Sequence, residues 1–583
     1  MKRLAAGLDR ARTSRSRIAK EEAIGAALAA IAEDGDDALA IAARMATGRA
    51  LPVGDGRALG VGWSLMLDVV RGSTGLDDVI LGACARVTGE LAEAFAHLVR
   101  RDPASESRAG VRLADIARAV DALADEPGRS NKRAILDALF ATATPIETKY
   151  LAKALGGELR IGAQQGVVEG AIARAFALPV DAVRRAAALV TDPGDLAVLA
   201  RHGGLAEAKL VVGRPVAFML ATPIETVATP LDAAELVLED KIDGVRAQLH
   251  RMDRDGSVAV FARGLDRVTD AFPEIVDTAA ALPAGVVLDG EIVAMAPSGR
   301  PRPFQVLQPR LRKSRPSVED LAETPVCLVA FDLLADASGP LLGRPWRERR
   351  ARLEALLEER PGAIRLNPIS SLPPHEALDA ALDAAFTAAR ARGHEGLVLK
   401  RADSPYDAGR RGQAWLKVKR AHATLDVVVV GAEQGHGRRA GVLSDYTFAV
   451  WRGEDLVPIG KAYSGLSDDE IDAMTRRLEA LTVEVRGGLR LVRPEVVLEV
   501  AFDGIQRSSR HASGFALRFP RIVRVRDDKR PDEADRIEAV DAIFEAQVAT
   551  GHREHATAAA PKRARKKPRP TNQLSLFGDD DER

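Results

Sequence analysis

The period of the apolar residues changes near residue 213, and that change commits the chain to a multidomain fold. Residues 1 to about 205 are alanine- and leucine-rich runs at helical spacing, broken by "DEPGRS" and "TDPGD". From there to about Arg420 come short β-type runs: "LVLEDKI", "VRAQLHR", "SVAVFAR", "VVLDGEIVAM", "VCLVAFDLL" and "EGLVLKR". Helices such as "WRERRARLEALLEER" interrupt them, which predicts an α+β domain. Further strands, "LDVVVVGAE", "VLSDYTFAVW", "VVLEVAF" and "RIVRVR", surround one helix, "SDDEIDAMTRRLEAL". They predict a small β-barrel of the oligonucleotide-binding (OB-fold) type. The expected division is an all-α domain at 1–205, an α+β domain at 206–420, the barrel at 421–547 and a disordered basic tail at 548–583.

With 583 residues, three or four separate cores are affordable. Lys+Arg and Asp+Glu both total 83, so any surface for a polyanion must be a local patch. Cys84 and Cys327 are the only cysteines, which excludes a disulfide scaffold and a four-cysteine zinc site and fits a reducing cytoplasm. No apolar stretch is long enough to span a bilayer. The arginine- and serine-rich start contains Asp9 and runs directly into a helical pattern, so it is expected to open the first domain.

The stretch "EDKIDGVRAQLH" (239–250) poses the sharpest chemical question. Strand alternation puts Val237, Glu239 and Lys241 on one face. Asp243-Gly244 then signals a hairpin turn, with Val245 to Leu249 as the return strand. Taken alone, the stretch fits an ordinary hairpin with a solvated lysine. The same domain, however, carries further charged or aromatic residues at strand ends: Arg246, Arg263, Glu291, Phe331, Glu395, Lys417 and Lys419. An ordered set of this kind is how a pocket for an anionic nucleotide is built.

The series "KIDG…R", "ARG", "DGE", "FD", "EGLVLK", "WLKVK" and "RFPRIVRVRDDK" resembles the motif series of the ATP-dependent DNA ligases, which are covalent nucleotidyltransferases. "ETKYLAKALGGELRIG" is similar to the signature helices of that family's N-terminal DNA-binding domain, and "GRPVAFMLA" to the entry of its adenylation domain. The resemblance implies ATP and Mg²⁺ (or Mn²⁺) as cofactors and nicked double-stranded DNA as partner. It implies a monomer in the cytoplasm, associated with the nucleoid, acting in replication, repair or recombination. It also implies a three-step reaction. Lys241 attacks the α-phosphate of ATP to give lysyl-AMP, AMP passes to the 5′-phosphate of a nick, and the 3′-hydroxyl displaces AMP.

Further roles follow from the resemblance. Glu239 would accept from the adenine amino group, and Phe331 would stack on the base. Arg246, Arg263 and Arg411 would contact sugar and phosphates, while Lys417 and Lys419 would hold the α-phosphate. Glu291 and Glu395 are hard oxygen ligands suited to Mg²⁺, with Glu291 also counted among the ATP-binding residues. Arg526 and Lys529 in "RVRDDK" would lie over the pyrophosphate. The chemistry needs positive charge nearby. A lysine amine with its usual pKa near ~10.4 is neutral in only about one molecule in 2,500 at pH 7, and nearby cations favour the neutral form. One departure stands out: Gly264 follows Arg263 where the family commonly has asparagine.

Three alternatives share part of this pattern. RNA ligases and capping guanylyltransferases have the lysine-x-aspartate-glycine core, but not the helical first domain or the full "RFPRIVRVRDDK" run. An NAD-dependent DNA ligase would carry a zinc finger that two cysteines cannot make. A catalytically dead DNA-binding scaffold would be expected to lack Lys241 or a metal carboxylate. In the tail, "PKRARKKPRP" has six cations and no acid, a composition for loose attraction to DNA. The "QLSLF" that follows (Gln573, Leu574, Leu576 and Phe577) resembles peptides that dock on the bacterial sliding clamp.

Overall fold

A computed structural model describes residues 1–551 except 163, 225–235, 253–255, 303, 312, 314, 359–361, 373–377, 419–422, 436–438, 440, 487 and 509. Lys419 and the whole "QLSLF" peptide therefore lie outside the described residues. Among the described residues, twelve α-helices, Lys2–Thr13 to Pro193–Arg201, form the first domain around one apolar core that includes Leu8, Leu28, Phe95, Tyr150 and Leu196. Helix Pro145–Leu155 runs through that core. Its start is fixed by Pro145 and by Thr144, whose N–H and hydroxyl both donate to Glu147 Oε2 (3.0 and 2.9 Å). Both lysines of "KYLAKAL" are buried. Lys149 donates to Asp9 (2.9 Å) and to Glu93 (3.1 Å), and Lys153 pairs with Glu90. They hold helices together.

Among its described residues the middle domain has eleven strands: β1 (Leu220–Ile224), β2 (Leu236–Lys241), β3 (Val245–Arg251), β4 (Val258–Ala262), β5 (Val287–Ala294), β6 (Val326–Asp336), β7 (Gly339–Pro340), β8 (Ile364–Leu366), β9 (Ile369–Ser371), β10 (Gly396–Arg401) and β11 (Arg411–Val418). They make two sheets, β1-β11-β10-β2-β9 and β4-β3-β5-β6-β7, with β8 beside β6. The hairpin expected at Asp243-Gly244 is not there. β2 pairs with β9 and β10, whereas β3 pairs with β4 and β5, so the turn is a corner between sheets. Gly244 is required for close approach: a Cβ there would stand 2.2 Å from the Ile292 carbonyl oxygen.

The third domain is β-rich and OB-like, as expected. Its strands are β12 (Ala423–Gln434), β13 (Leu443–Arg452), β14 (Asp455–Ala462), β15 (Thr482–Arg486), β16 (Leu489–Val492), β17 (Val497–Phe502), β18 (Gly504–Arg507), β19 (Phe515–Arg518) and β20 (Arg521–Val525). Seven form one sheet, β14-β13-β12-β16-β15 with β17 between β12 and β20, while β18 and β19 pair separately. The one foreseen helix is Asp468–Leu481, begun by a Ser467–Glu470 capping box. A second helix, Ile537–Gly551, was missed, and it carries regular structure past the expected boundary at 547. Val540 is buried in the domain core and Phe544 packs on Phe515 at 5.3 Å between ring centroids.

The segment that leads from the first domain into β1 is hydrogen-bonded to β3. Gly213 N–H donates to His250 Nδ1 (3.1 Å), and Gln248 exchanges two bonds with the Val216 backbone (3.1 and 2.8 Å). Burial pushes the His250 pKa down to about 3, so the ring stays neutral and Nδ1 stays an acceptor. Among the described residues no helix is long and apolar enough to cross a membrane.

Candidate active site

The cleft is built on one face of the five-stranded sheet. Register aligns Glu239 with Val398 and Val398 with Lys417; it also aligns Lys400 with Trp415. Facing residues on neighbouring strands point the same way, so Glu239, Lys241, Lys400, Trp415 and Lys417 share this face. The facing wall comes from the second sheet, where Arg246 pairs in register with Glu291 and Glu291 with Val329.

Lys241 ends β2 with its amine donating to Glu395, and both side chains are partly exposed (29% and 40%). The Glu395 N–H donates to the Lys241 carbonyl at 2.7 Å, which ties the two residues through the backbone as well. Two residues back, Glu239 is buried. Its Oε2 accepts from Asn367 (3.2 Å) and pairs with Lys400 Nζ (2.9 Å), but its Oε1 has no hydrogen-bond partner. Burial pushes the Glu239 carboxyl up and the Lys400 amine down, while the attraction between them opposes both shifts. Lys400 also donates to the Phe331 carbonyl (3.0 Å) and lies over the Phe331 and Trp415 rings at 4.6 and 4.3 Å.

Arg246 is held elsewhere than on a phosphate. Its guanidinium makes a two-point bond to buried Asp289 (3.1 and 2.8 Å) and another to the Met219 carbonyl. Burial works against its charge, yet Asp289 raises its pKa further. Glu291 shows the opposite imbalance. Burial pushes its carboxyl up to about 8; Lys241 and Arg246 oppose this, and the charges of Glu395 and Asp289 add to it. Beside them, burial and the Glu395 charge push Asp243 up, and Arg518 of β19 reaches it at 3.9 Å.

The sequence-derived residues do not all converge. Glu239, Lys241, Arg246, Glu291, Phe331, Glu395 and Lys417 frame the cleft. Arg411 is exposed at the start of β11, where the register against β1 slips: its partner Leu220 stands three residues before Pro223, the partner of Lys417. Arg263 is exposed in the turn after β4, beside the first domain, where Arg49 donates to Gly264 O and Asp266 (3.3 Å each). Arg526 and Lys529 are bound to Asp426 of β12 (3.0 and 2.6 Å). Sequence reasoning missed Lys400, Asn367 and Asp289. Period-two spacing from Val398 in "EGLVLK" and from Glu291 in "DGE" could have found Lys400 and Asp289; Asn367 carries no such signal.

Among the described residues no cluster of three or more His, Cys, Asp or Glu side chains could hold a metal. Glu291 and Glu395 fit an ion that keeps most of its waters, and the raised Glu291 carboxyl marks a place short of positive charge.

Three family models cover most of the chain: DNA ligase N terminus (residues 1–173), ATP dependent DNA ligase domain (218–419) and ATP dependent DNA ligase C terminal region (439–529). A probable DNA ligase of Koribacter versatilis is 41% identical over 520 residues, covering 86% of this chain and 89% of the relative. A DNA ligase of Thermococcus onnurineus is 35% identical over 530 residues, covering 88% and 92%. The solved structure Pmar-Lig_PreS3 matches the fold with a TM-score of 0.53 at 19% identity, over 90% of this chain and 99% of its own. Motif order, cleft geometry and whole-length similarity converge, and the chain belongs to the ATP-dependent DNA ligases.

Proposed function

We propose that the chain seals nicks in duplex DNA, with Lys241 as the nucleophile that takes AMP from ATP. The observation that carries this reading is the pairing on one strand of a partly exposed lysine with a buried glutamate whose Oε1 accepts no hydrogen bond, Arg350 standing 3.8 Å from it. That oxygen would accept from an adenine amino group. Lys241 would bond to the α-phosphorus and pyrophosphate would leave, after Glu395 turns away from the amine. AMP would then pass to the 5′-phosphate of the nick, and attack by the 3′-hydroxyl would release AMP and join the strand. Lys417, on the same face, would hold phosphate oxygens. A divalent cation on Glu291 and Glu395 would supply positive charge beside the α-phosphate.

The decisive assay is sealing of a nicked duplex with ATP, GTP or NAD as the only cofactor. ATP alone should support it, and activity with NAD instead would overturn the reading. Docking on the bacterial sliding clamp through "QLSLF" forms part of the proposal and rests on sequence alone. Tethering would raise the local concentration of ligase without touching the cleft. Changing Gln573, Leu576 and Phe577 to alanine should abolish clamp pull-down and leave sealing of free nicked oligonucleotides intact. Undiminished pull-down would remove that part.

A further inference from the structure

Asp240 sits between Glu239 and Lys241, and alternation turns its side chain to the opposite face of β2. Arg392 grips it there at two points, Nε to Oδ2 at 2.9 Å and Nη2 to Oδ1 at 2.8 Å. His394 Nε2 lies 3.4 Å from the same carboxylate, and both His394 and Asp240 are largely buried. These partners belong to the turn Arg392-Gly393-His394-Glu395, which leads from helix Leu378–Ala391 into β10. Gly393 has φ +90°, a conformation that closes the turn and that other residues adopt only with strain. Arg390 Nη1 donates to the His394 and Glu395 carbonyls (3.3 and 3.4 Å), bracing the turn from the helix side.

We propose that Asp240 is a positioning residue that, through Arg392 and His394, holds this turn so that the Glu395 carboxylate meets the Lys241 amine. The inference rests on the reading of Glu395 as a participant in lysine adenylylation. One strand then serves the reaction from both faces: Lys241 in front, and behind it the clasp that sets its partner. A two-point arginine–carboxylate bond fixes orientation as well as distance, which a single contact does not. The Glu395 amide bond to the Lys241 carbonyl anchors only the backbone; the clasp removes the remaining freedom of the turn to slide along β2. Misplacing a catalytic group by about 1 Å can cost on the order of 10²-fold in rate.

The test uses the full-length protein and the variants Asp240→Asn, Arg392→Gln, their double mutant and Glu395→Gln. Lysine adenylylation is followed with α-labelled ATP and Mg²⁺, and amide hydrogen exchange is read across residues 392–397 without metal. Asp240→Asn should slow adenylylation about tenfold and speed exchange of the turn, leaving exchange in the other strands unchanged. The double mutant should be no slower than the worse single mutant, because both changes open the same clasp. Wild-type exchange in the turn of Asp240→Asn, or faster exchange throughout the domain, would overturn the proposal. A fully active Glu395→Gln would remove the reading beneath it. A defective Glu395→Gln beside a fully active Asp240→Asn would remove the proposal alone.

Discussion

The cleft of the middle domain and the cationic run of the third domain hold their charges in opposite states. In the cleft, Glu239 keeps an oxygen that accepts no hydrogen bond and Lys241 keeps part of its surface in water. In the run Arg524–Lys529, the three residues Arg524, Arg526 and Lys529 are each matched by carboxylates. Arg524 bonds Glu499 (2.7 Å), Arg526 bonds Asp426 and Asp528 (3.0 and 2.8 Å), and Lys529 bonds Asp426 (2.6 Å). In the cleft only the Lys241–Glu395 contact has to open, whereas in the run both Arg526 and Lys529 must leave carboxylates before they can touch a phosphate. Placing Arg526 and Lys529 over the pyrophosphate, as the motif resemblance implies, therefore requires Asp426 to let go.

The strongest way to break this comparison is at Lys241. Lys241→Ala should take up no label from α-labelled ATP and seal nothing. Lys241→Arg should fail equally, because arginine stays protonated and cannot act as a nucleophile. Label surviving in either variant would mean that the exposed lysine is not the acceptor.

The second prediction separates two lysine–glutamate pairs in the same cleft. Lys400 and Glu239 are buried, and removing one partner of such a pair costs roughly 3–5 kcal/mol because the other charge is stranded. Lys400→Met should lower the melting temperature by many degrees and weaken ATP binding. Glu395→Gln, at the exposed pair, should change stability by less than about 1 kcal/mol while slowing adenylylation. Equal stability losses, read by denaturant unfolding, would show that burial does not distinguish the pairs.

The sequence showed the cleft better than its supports. Lys241 and Glu239 sit in a short strand with clear alternation and Glu395 immediately precedes another, so their neighbourhood follows from the pairing of β2 with β10. The corner at Gly244 was misread because Asp-Gly ordinarily signals a hairpin; what decides here is the approach of β5, which is non-local. The two-point bond of Arg246 to Asp289, forty-three residues away, carries no local signal. The lysines of the helix Pro145–Leu155 find carboxylate partners on two other helices and on the residue capping one of them, which local sequence does not announce. Local period was legible, and the choice of ion-pair partner was not.

Glu291 gives the third prediction, a pH dependence of stability. Its carboxyl is raised from the ordinary 4.5 to about 8. Between those values the folded state holds a proton that the unfolded chain has released. Stability is thus fully present below about 4.5 and falls as pH rises toward 8. Melting curves without metal should show this decline, Glu291→Gln should flatten it, and Mg²⁺ should oppose it by stabilising the carboxylate. A flat profile in the metal-free wild type would mean that the cleft is not short of positive charge.

The smallest effect is expected at Asp426, and it bears most directly on the contrast between the two regions. Asp426 is largely buried and engages Arg526 and Lys529 together, so it sets the resting position of both cations. Asp426→Asn keeps the shape and hydrogen-bonding capacity of the side chain but removes its charge. Arg526 would retain Asp528, an exposed partner that contributes little, and Lys529 would lose its carboxylate. If partner exchange limits the approach of these cations to the triphosphate, lysine adenylylation at low ATP should rise a few-fold. The binding of nicked duplex should also gain affinity at low salt, with a steeper salt dependence by about one unit of slope. At high salt the gain should shrink, because screening weakens the wild-type clasp and the newly freed charges alike. Unchanged adenylylation with an unchanged salt slope would show that the run is not restrained by Asp426, and the two regions would then differ in location alone.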